Sequence, residues 1–370
     1  MSNKNIPLYD QCRQYFHMHG RIDIPTLYRD MAEYARHFDI DTDRYGEGRF
    51  LNNFEDEIAH LLGKEAAVFM PSGVMAQQIA LRIRADQTGL TQVAYHPTSH
   101  LEVHEYQGYR FLHGLQASLL GDRQRLINSD DFCSLEKPVS SLLLELPQRW
   151  TGGLLPEWQQ LKDVTDAARQ YVSYIHMDGA RLWECLYYYS QENDFQLSHI
   201  TRPFDSVYVS FYKTLGGIGG AMLAGEKIFI NEARVWLRRH GGNLYQLHPM
   251  VIAAHMGMDR HLPHIPTYVR RAQMIAELVK DIPGLICYPA QPRTNMFHIH
   301  FVHKPSRLDS IRDHIAQESA VWVAGRFYPS YLDSINGTGS FMEVHVGEGL
   351  LNIDDQLIYS CLQRLASADK

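Results

Sequence analysis

Lys213 closes the run Asp205-Ser-Val-Tyr-Val-Ser-Phe-Tyr-Lys213, and the glycine-rich segment Thr214-Leu-Gly-Gly-Ile-Gly-Gly220 follows it. A strand of β-branched and aromatic residues that delivers one amine beside closely approaching backbone suits chemistry on a bound carbonyl compound. Three other features could serve such a site. Asp178 follows the buried-strand pattern Tyr174-Ile-His-Met177 and precedes Gly-Ala-Arg181; His100 lies in Ser99-His-Leu101; Ser72, Gly73 and Val74 stand at a strand-to-helix turn. The first N–H groups of a helix have no intrahelical partner and favour an anion. Together these groups suit pyridoxal phosphate. Lys213 supplies the amine for a Schiff base, Asp178 keeps the pyridine nitrogen protonated, His100 stacks on the ring and the Ser72 turn meets the phosphate. The protonated ring is then an electron sink. Each residue alone has a plainer reading. Lys213 could be a surface lysine, Asp178 a turn residue, His100 a hydrogen-bonded structural histidine and Ser72 a helix cap.

Two other chemistries fit less well. A dinucleotide fingerprint starting at Gly217 requires glycine at position 222, which is Met222, and Arg238, Arg239 and His240 stand where an acidic residue should follow. His96, His100 and His104 recur every four residues, but Pro97 breaks any helix that would align them as metal ligands. No metal is expected.

The elements that must position these groups alternate. Strands are expected at 66–70, 92–95, 139–146, 174–177, 206–211 and 221–224, with helices after Asn53, after the Ser72 turn and over 161–171. This rhythm predicts an α/β fold with a mainly parallel sheet, and Ser72, Asp178 and Lys213 all fall just past strand ends, where such sheets hold ligands. From about Glu226 the pattern changes to helices over 228–240, 249–262 and 267–279. Strands at 297–301, 320–323 and 341–346 and a helix over 354–365 follow, an α+β lobe with an antiparallel sheet. The expected organisation is an N-terminal arm (1–45), a large cofactor-binding domain (46–250) and a small C-terminal domain (251–370).

A net charge of −7, with 21% charged and 45% hydrophobic residues, carries no nucleic-acid footprint. The five cysteines are odd in number and far apart, and no run of about 18 apolar residues occurs. A cytoplasmic protein acting on a small molecule is expected, with no nucleic-acid or membrane partner.

Several motifs occur in a recognisable order: Tyr45-Gly-Glu47, Glu55, Gly63-Lys-Glu-Ala-Ala67, Pro71-Ser-Gly-Val-Met-Ala76, Ser99-His100 with Glu105, Leu154-Leu-Pro156, His176-Met-Asp-Gly-Ala-Arg-Leu-Trp183, Ser210-Phe-Tyr-Lys213 with Leu215-Gly216, and Arg293-Thr-Asn295. Over roughly 45–360 the chain resembles the threonine aldolase and β-eliminating lyase group of fold-type I pyridoxal-phosphate enzymes. The resemblance implies that Lys213 carries the cofactor, Asp178 pairs with its ring nitrogen, His100 stacks on it, and Ser72, Gly73 and Val74 contact the phosphate. It also implies that Arg181 binds the cofactor's phenolic oxygen side or the substrate carboxylate. A homo-oligomer, usually a tetramer, with shared sites is implied as well. The chain departs from the group at three places. Phe16-His-Met-His-Gly-Arg21 stands where a Ser-Asp-Thr start is expected, Tyr245 where a phosphate-side arginine is expected, and Phe341 where a second carboxylate-binding arginine is expected. Arg293 or Arg326 could take the last role.

The expected activity is retro-aldol cleavage of a β-hydroxy-L-amino acid to glycine and an aldehyde, with Lys213, His100, Asp178 and Arg181 as catalytic residues. His100, His104 or a water would take the β-hydroxyl proton. β-Elimination, transaldol exchange and a non-catalytic cofactor-binding role are the alternatives.

Overall fold

The computed structural model describes residues 6–191, 194–335 and 339–367. The chain forms two compact units: residues 25–150 with 155–263, and residues up to 24 with 151–154 and from 264 onward. The divisions after Ile24 and Pro263 differ from the boundaries expected after residues 45 and 250. The segment 151–154 had no sequence signal for leaving the larger unit.

The larger unit is built on a seven-stranded sheet. Its strands are β1 (Ala66–Met70), β2 (Gln92–Tyr95), β3 (Gln116–Leu119), β4 (Ser141–Glu145), β5 (Ile175–Gly179), β6 (Ser206–Ser210) and β7 (Ala221–Gly225). They lie in the order β1-β7-β6-β5-β4-β2-β3. Only β7 runs against its neighbours, pairing antiparallel with both β1 and β6; the other pairs are parallel. Six strands therefore point the same way, and their carboxyl ends share one edge. β4 to β7 are buried along almost their whole length, which is why they read as apolar runs rather than alternating ones.

Helices α1 (Arg49–Leu61), α2 (Gly73–Thr88), α3 (Leu182–Tyr189), α4 (Lys227–Arg239) and α5 (His248–His261) surround this sheet. Ile79, Ala80 and Ile83 of α2 pack with Val68, Tyr208 and Leu223 of the sheet and with Phe229, Ile230 and Ala233 of α4. Each fully buried aliphatic side chain there contributes about 1.5–3 kcal/mol. α1 begins after Gly48, one turn before the cap expected at Asn53, and Asn52 Oδ1 accepts the Gly48 N–H at 3.1 Å. Buried Glu55 of α1 accepts the Phe69 N–H at 2.7 Å and pairs with Arg234 of α4, whose guanidinium also donates to the Ala67 carbonyl at 3.1 Å. One carboxylate thus ties two helices to β1.

The smaller unit holds the antiparallel sheet β8 (Leu285–Tyr288), β9 (Met296–Phe301), β10 (Tyr328–Pro329) and β11 (Ser340–Val346), in the order β8-β9-β11-β10. Helices α6 (Ile265–Lys280), α7 (Pro305–Ser319) and α8 (Asp355–Ser367) belong to the same unit. Along β9 and β11 one alternating set is apolar (Phe297, Ile299, Phe301; Met342, Val344) and the other carries His298, His300, Phe341 and Glu343. The strand expected at 320–323 is not part of this sheet. Val321–Trp322 pairs in parallel with Gln14–Tyr15, and His17–Met18 pairs in parallel with the end of β11.

Candidate active site

The shared carboxyl edge of the large sheet gathers the expected residues by register. Glu145 lies opposite Asp178, Asp178 opposite Tyr208, and both Met70 and Ser210 opposite Ala221. The segments leaving these ends carry Ser72, Arg149, Arg181 and Lys213, while His100 follows β2.

Lys213 sits on the ten-residue connection from β6 to β7, folded by hydrogen bonds from Gly216 N–H to the Lys213 carbonyl (2.9 Å) and from Gly217 N–H to the Phe211 carbonyl (2.8 Å). Its side chain is half-buried, with the amine 5.3 Å from the Tyr212 ring centre and 6.0 Å from that of Tyr208. Burial, reinforced by the nearby Arg181 charge, pushes its pKa down to about 7, against the pull of Asp178 and Glu145. A substantial share of this amine is therefore neutral at pH 7, with its lone pair available.

Asp178 ends β5 and is 1% exposed, its Oδ1 accepting the Ala180 N–H at 3.1 Å. Burial raises its pKa, while Lys213 and His100 oppose the shift. His100 opens a four-residue helix, with Nδ1 3.0 Å from Glu105 Oε1, and the other Glu105 oxygen accepts from Gln78 Nε2 at 2.9 Å. Burial lowers His100 to about 4, so its ring is neutral at pH 7, and burial raises Glu105 to about 7. Arg181 is 9% exposed and precedes α3, next to Glu184. Burial raises Glu184 to about 7, and Glu184 accepts from the Thr214 hydroxyl beside Lys213.

Ser72 caps α2, its Oγ accepting the Met75 N–H at 3.3 Å, and Gly73 and Val74 form the first turn. Gly73 has no alternative at this point. A Cβ on it would lie 1.8 Å from the Tyr208 hydroxyl and 2.2 Å from Cζ of the same ring. The helix N-terminus is thus drawn tightly against β6.

Three participants escaped the sequence reading. Glu145 is raised to about 8 by burial and by Asp178 beside it; its carboxylate oxygens accept the Arg149 N–H and Gln148 Nε2, each at 3.1 Å. Arg149 acts electrostatically on Lys213, His100 and Glu145. Tyr208 forms the wall against Gly73. The only available signal was that Glu145 is the sole charged residue in an apolar strand.

His104 stands beside Arg149 and Trp150. Its Nε2 lies 2.9 Å from Trp150 Nε1 and 3.1 Å from Arg149 Nη1. Both are N–H donors, so Nε2 is the acceptor. His96 is tied to Thr98 and to the carbonyls of Asp122 and Arg125. Tyr245 is 53% exposed and packs on Tyr45 with 5.4 Å between ring centres. In the smaller unit, Phe341 is 1% exposed and stacked on His298 at 4.4 Å, and Arg326 lies over Tyr328 at 5.1 Å. Arg293 is half-buried in the same unit.

The family model described as β-eliminating lyase matches residues 25–302. Low-specificity L-threonine aldolase 1 of Arabidopsis thaliana is 24% identical over 309 residues, which span 80% of this chain and 84% of that protein. A solved structure from Listeria monocytogenes EGD-E, assigned as an L-allo-threonine aldolase, superposes with a TM-score of 0.87 at 37% identity, covering 97% of this chain and 98% of its own. Another, from Exiguobacterium sp. 255-15 and assigned as an aromatic amino acid β-eliminating lyase/threonine aldolase, gives a TM-score of 0.88 at 35% identity, covering 98% and 99%. The fold is accordingly that of the fold-type I pyridoxal-phosphate enzymes, as expected.

Proposed function

The chain belongs to the β-eliminating lyase family, and from that premise we propose that it is a pyridoxal-phosphate-dependent, threonine-aldolase-like lyase. It cleaves a β-hydroxy-L-amino acid to glycine and an aldehyde. The observation that carries the reading is the Lys213 amine, held beside Asp178 at the carboxyl edge of the sheet and brought to a pKa of about 7.

The residues present fit the cofactor. A near-neutral primary amine suits its aldehyde, and a buried carboxylate one strand away suits a ring N–H. A helix N-terminus with room for nothing larger than glycine against Tyr208 suits a phosphate held by backbone N–H groups. Lys213 would hold the aldehyde carbon, Asp178 the ring nitrogen, and the His100 ring one face. The N–H groups of Ser72, Gly73 and Val74 would hold the phosphate, and Arg181 the phenolic oxygen side. When bound, the cofactor supplies the sink for the electron pair released at the substrate α-carbon.

The chain's own groups divide the remaining work. Asp178 holds a proton on the ring nitrogen by charge pairing. Lys213 Nζ, when not bonded to the cofactor, would be a proton carrier poised near pH 7. His100 takes the β-hydroxyl proton through Nε2, with Glu105 at Nδ1 stabilising the charge that results. His104 stays out of this transfer, because its Nε2 lone pair receives two N–H donors.

We also propose a cytoplasmic homo-oligomer, dimer or tetramer, with shared sites. Tyr106 (95% exposed), Phe111 (78%) and Leu112 (69%) are exposed apolar side chains close in sequence, which burial against a second copy would cover. All five cysteines are free, as a reducing compartment requires. Among the described residues no helix is long and apolar enough to cross a membrane.

The test is spectral. Purified protein given cofactor should show the visible band of lysine-bound pyridoxal phosphate, and a screen of amino acids should find β-hydroxy substrates that yield glycine and an aldehyde. A Lys213→Ala protein that keeps the band would refute the assignment. Pyruvate and ammonia as products would favour β-elimination, and a band that no amino acid perturbs would favour a non-catalytic role.

A further inference from the structure

We propose that Trp183, Glu184 and Thr214 are positioning residues that set the span between Asp178 and Lys213, so that one cofactor ring can meet both. This rests on reading Asp178 and Lys213 as cofactor residues.

The ladder between β5 and β6 ends at Gly179 opposite Val209. Asp178 lies just inside that end and Lys213 lies beyond it, so backbone pairing does not fix how far the amine stands from the carboxylate. Past the ladder, side chains join the two segments. Ser210 Oγ donates to the Ala180 carbonyl at 2.7 Å, Trp183 Nε1 donates to the Ser210 carbonyl at 2.9 Å, and the Thr214 hydroxyl donates to Glu184 Oε1. The Trp183 and Phe211 rings also pack, with 6.0 Å between centres. Lys213 is thus tied to the start of α3 from both sides, through Ser210 before it and Thr214 after it. The Asp178 end is tied to the same place. The Ala180 peptide that accepts from Ser210 donates its N–H to Asp178 Oδ1 at 3.1 Å.

Trp183, Glu184, Ser210 and Thr214 are all buried, where such hydrogen bonds are stronger than in water. Glu184 shows that more than packing is involved. Its Oε2 is buried with no hydrogen-bond partner, and leaving a carboxyl oxygen in that state costs stability. An apolar side chain would fill the place without that cost. What the carboxyl does make, through Oε1, is the bond to the residue next to Lys213. On its other side the lysine loop is held by main chain, with the Gly217 N–H on the Phe211 carbonyl and the Gly220 N–H on the Pro71 carbonyl. The α3 side is therefore where side-chain choice tunes the lysine's place. A reacting group must be held within about 0.5 Å by such supporting bonds.

The experiment compares two probes on the full chain freed of cofactor, pyridoxal phosphate and its deaza analogue, in which a C–H replaces the ring nitrogen. Both can react with Lys213, but only the first can pair with Asp178. Binding is followed by calorimetry, and for pyridoxal phosphate also by the visible band. Thr214→Val and Glu184→Leu should each weaken pyridoxal phosphate by about 10-fold, the worth of one charge-assisted bond, and leave the analogue within about 3-fold. The two changes together should cost no more than either alone, since they remove the same bond. Thr214→Ser keeps the hydroxyl and should bind both probes as the wild type does. Trp183→Phe, which keeps a ring against Phe211 but removes the indole donor, should lower the preference for pyridoxal phosphate over the analogue by several-fold. In an Asp178→Asn background none of these changes should alter that preference. Bonds that served folding only would weaken both probes alike. Equal losses for both probes, or undiminished pyridoxal phosphate binding in Thr214→Val and Trp183→Phe, would overturn the proposal while leaving the lyase reading intact. Wild-type protein that binds the two probes equally, or gives no visible band with pyridoxal phosphate, would overturn the reading of Asp178 and Lys213 and this proposal with it.

Discussion

Replacing Gly73 with alanine tests the close approach of α2 to β6. The added Cβ would meet the Tyr208 hydroxyl at 1.8 Å, Cζ at 2.2 Å and Cε2 at 2.7 Å, whereas ordinary contact begins at 3.4 Å. A ring that is 2% exposed must therefore retreat by about 1.6 Å, or the helix must lift away. Overpacking of this kind costs about 1–3 kcal/mol. With all three contacts this severe, the upper end is expected. Removing the hydroxyl alone should not help, because Cζ remains at 2.2 Å. Urea unfolding of cofactor-free protein, followed by fluorescence and circular dichroism, would give the difference for Gly73→Ala, Gly73→Ala with Tyr208→Phe, and Gly73→Ala with Tyr208→Val. The coupling energy with Tyr208→Phe should be near zero and that with Tyr208→Val clearly favourable, each measured against its single variants. A neutral Gly73→Ala, or complete rescue by Tyr208→Phe, would refute the packing argument.

Three further outcomes are expected. Lys213 is depressed in the folded state to about 7 from 10.5, so between those values the unfolded chain binds the extra proton and stability rises with pH. The wild type should therefore gain up to about 1.4 kcal/mol per pH unit relative to Lys213→Met across that window, and a flat difference would count against a buried amine. Glu55→Ala should destabilise by about 3 kcal/mol in chemical denaturation, the low end for a broken buried pair because Arg234 is 40% exposed. Phe341→Arg should not create a carboxylate site. It would thrust a guanidinium into a position 1% exposed and stacked on His298, with a fall in melting temperature and no gain in glycine binding.

The parts of the fold that were legible in the sequence are those whose burial shows in composition. β1, β2 and β4 to β7 are short apolar runs between turn residues, and their order alone implied the shared edge where Ser72, Asp178 and Lys213 meet. β3 was missed because Gln116-Ala-Ser-Leu119 lies at the sheet edge with Leu119 49% exposed, so neither alternation nor an apolar run marks it. Val321–Trp322 was legible as a strand but not as to partner, since nothing local to it specifies pairing with Gln14–Tyr15 some three hundred residues away. Within the site, Lys213, Asp178 and His100 stand out because an amine, an acid and an imidazole follow apolar strands. Arg149 does not, because only the folded strand end brings its charge to act on Lys213 and His100.

The antiparallel β7 has one more consequence. Ser72, His100, Arg149 and Arg181 ride on connections that leave the sheet toward helices, whereas Lys213 rides on a hairpin whose two legs, β6 and β7, are both interior strands. Its loop is also stitched to the neighbouring turn by the Gly220 N–H donating to the Pro71 carbonyl at 3.3 Å. The lysine can therefore be released only by pulling apart the middle of the sheet. In hydrogen exchange, the amides of β6 and β7 should be among the last to open, and the residues flanking Lys213 should resist proteolysis until the whole unit unfolds.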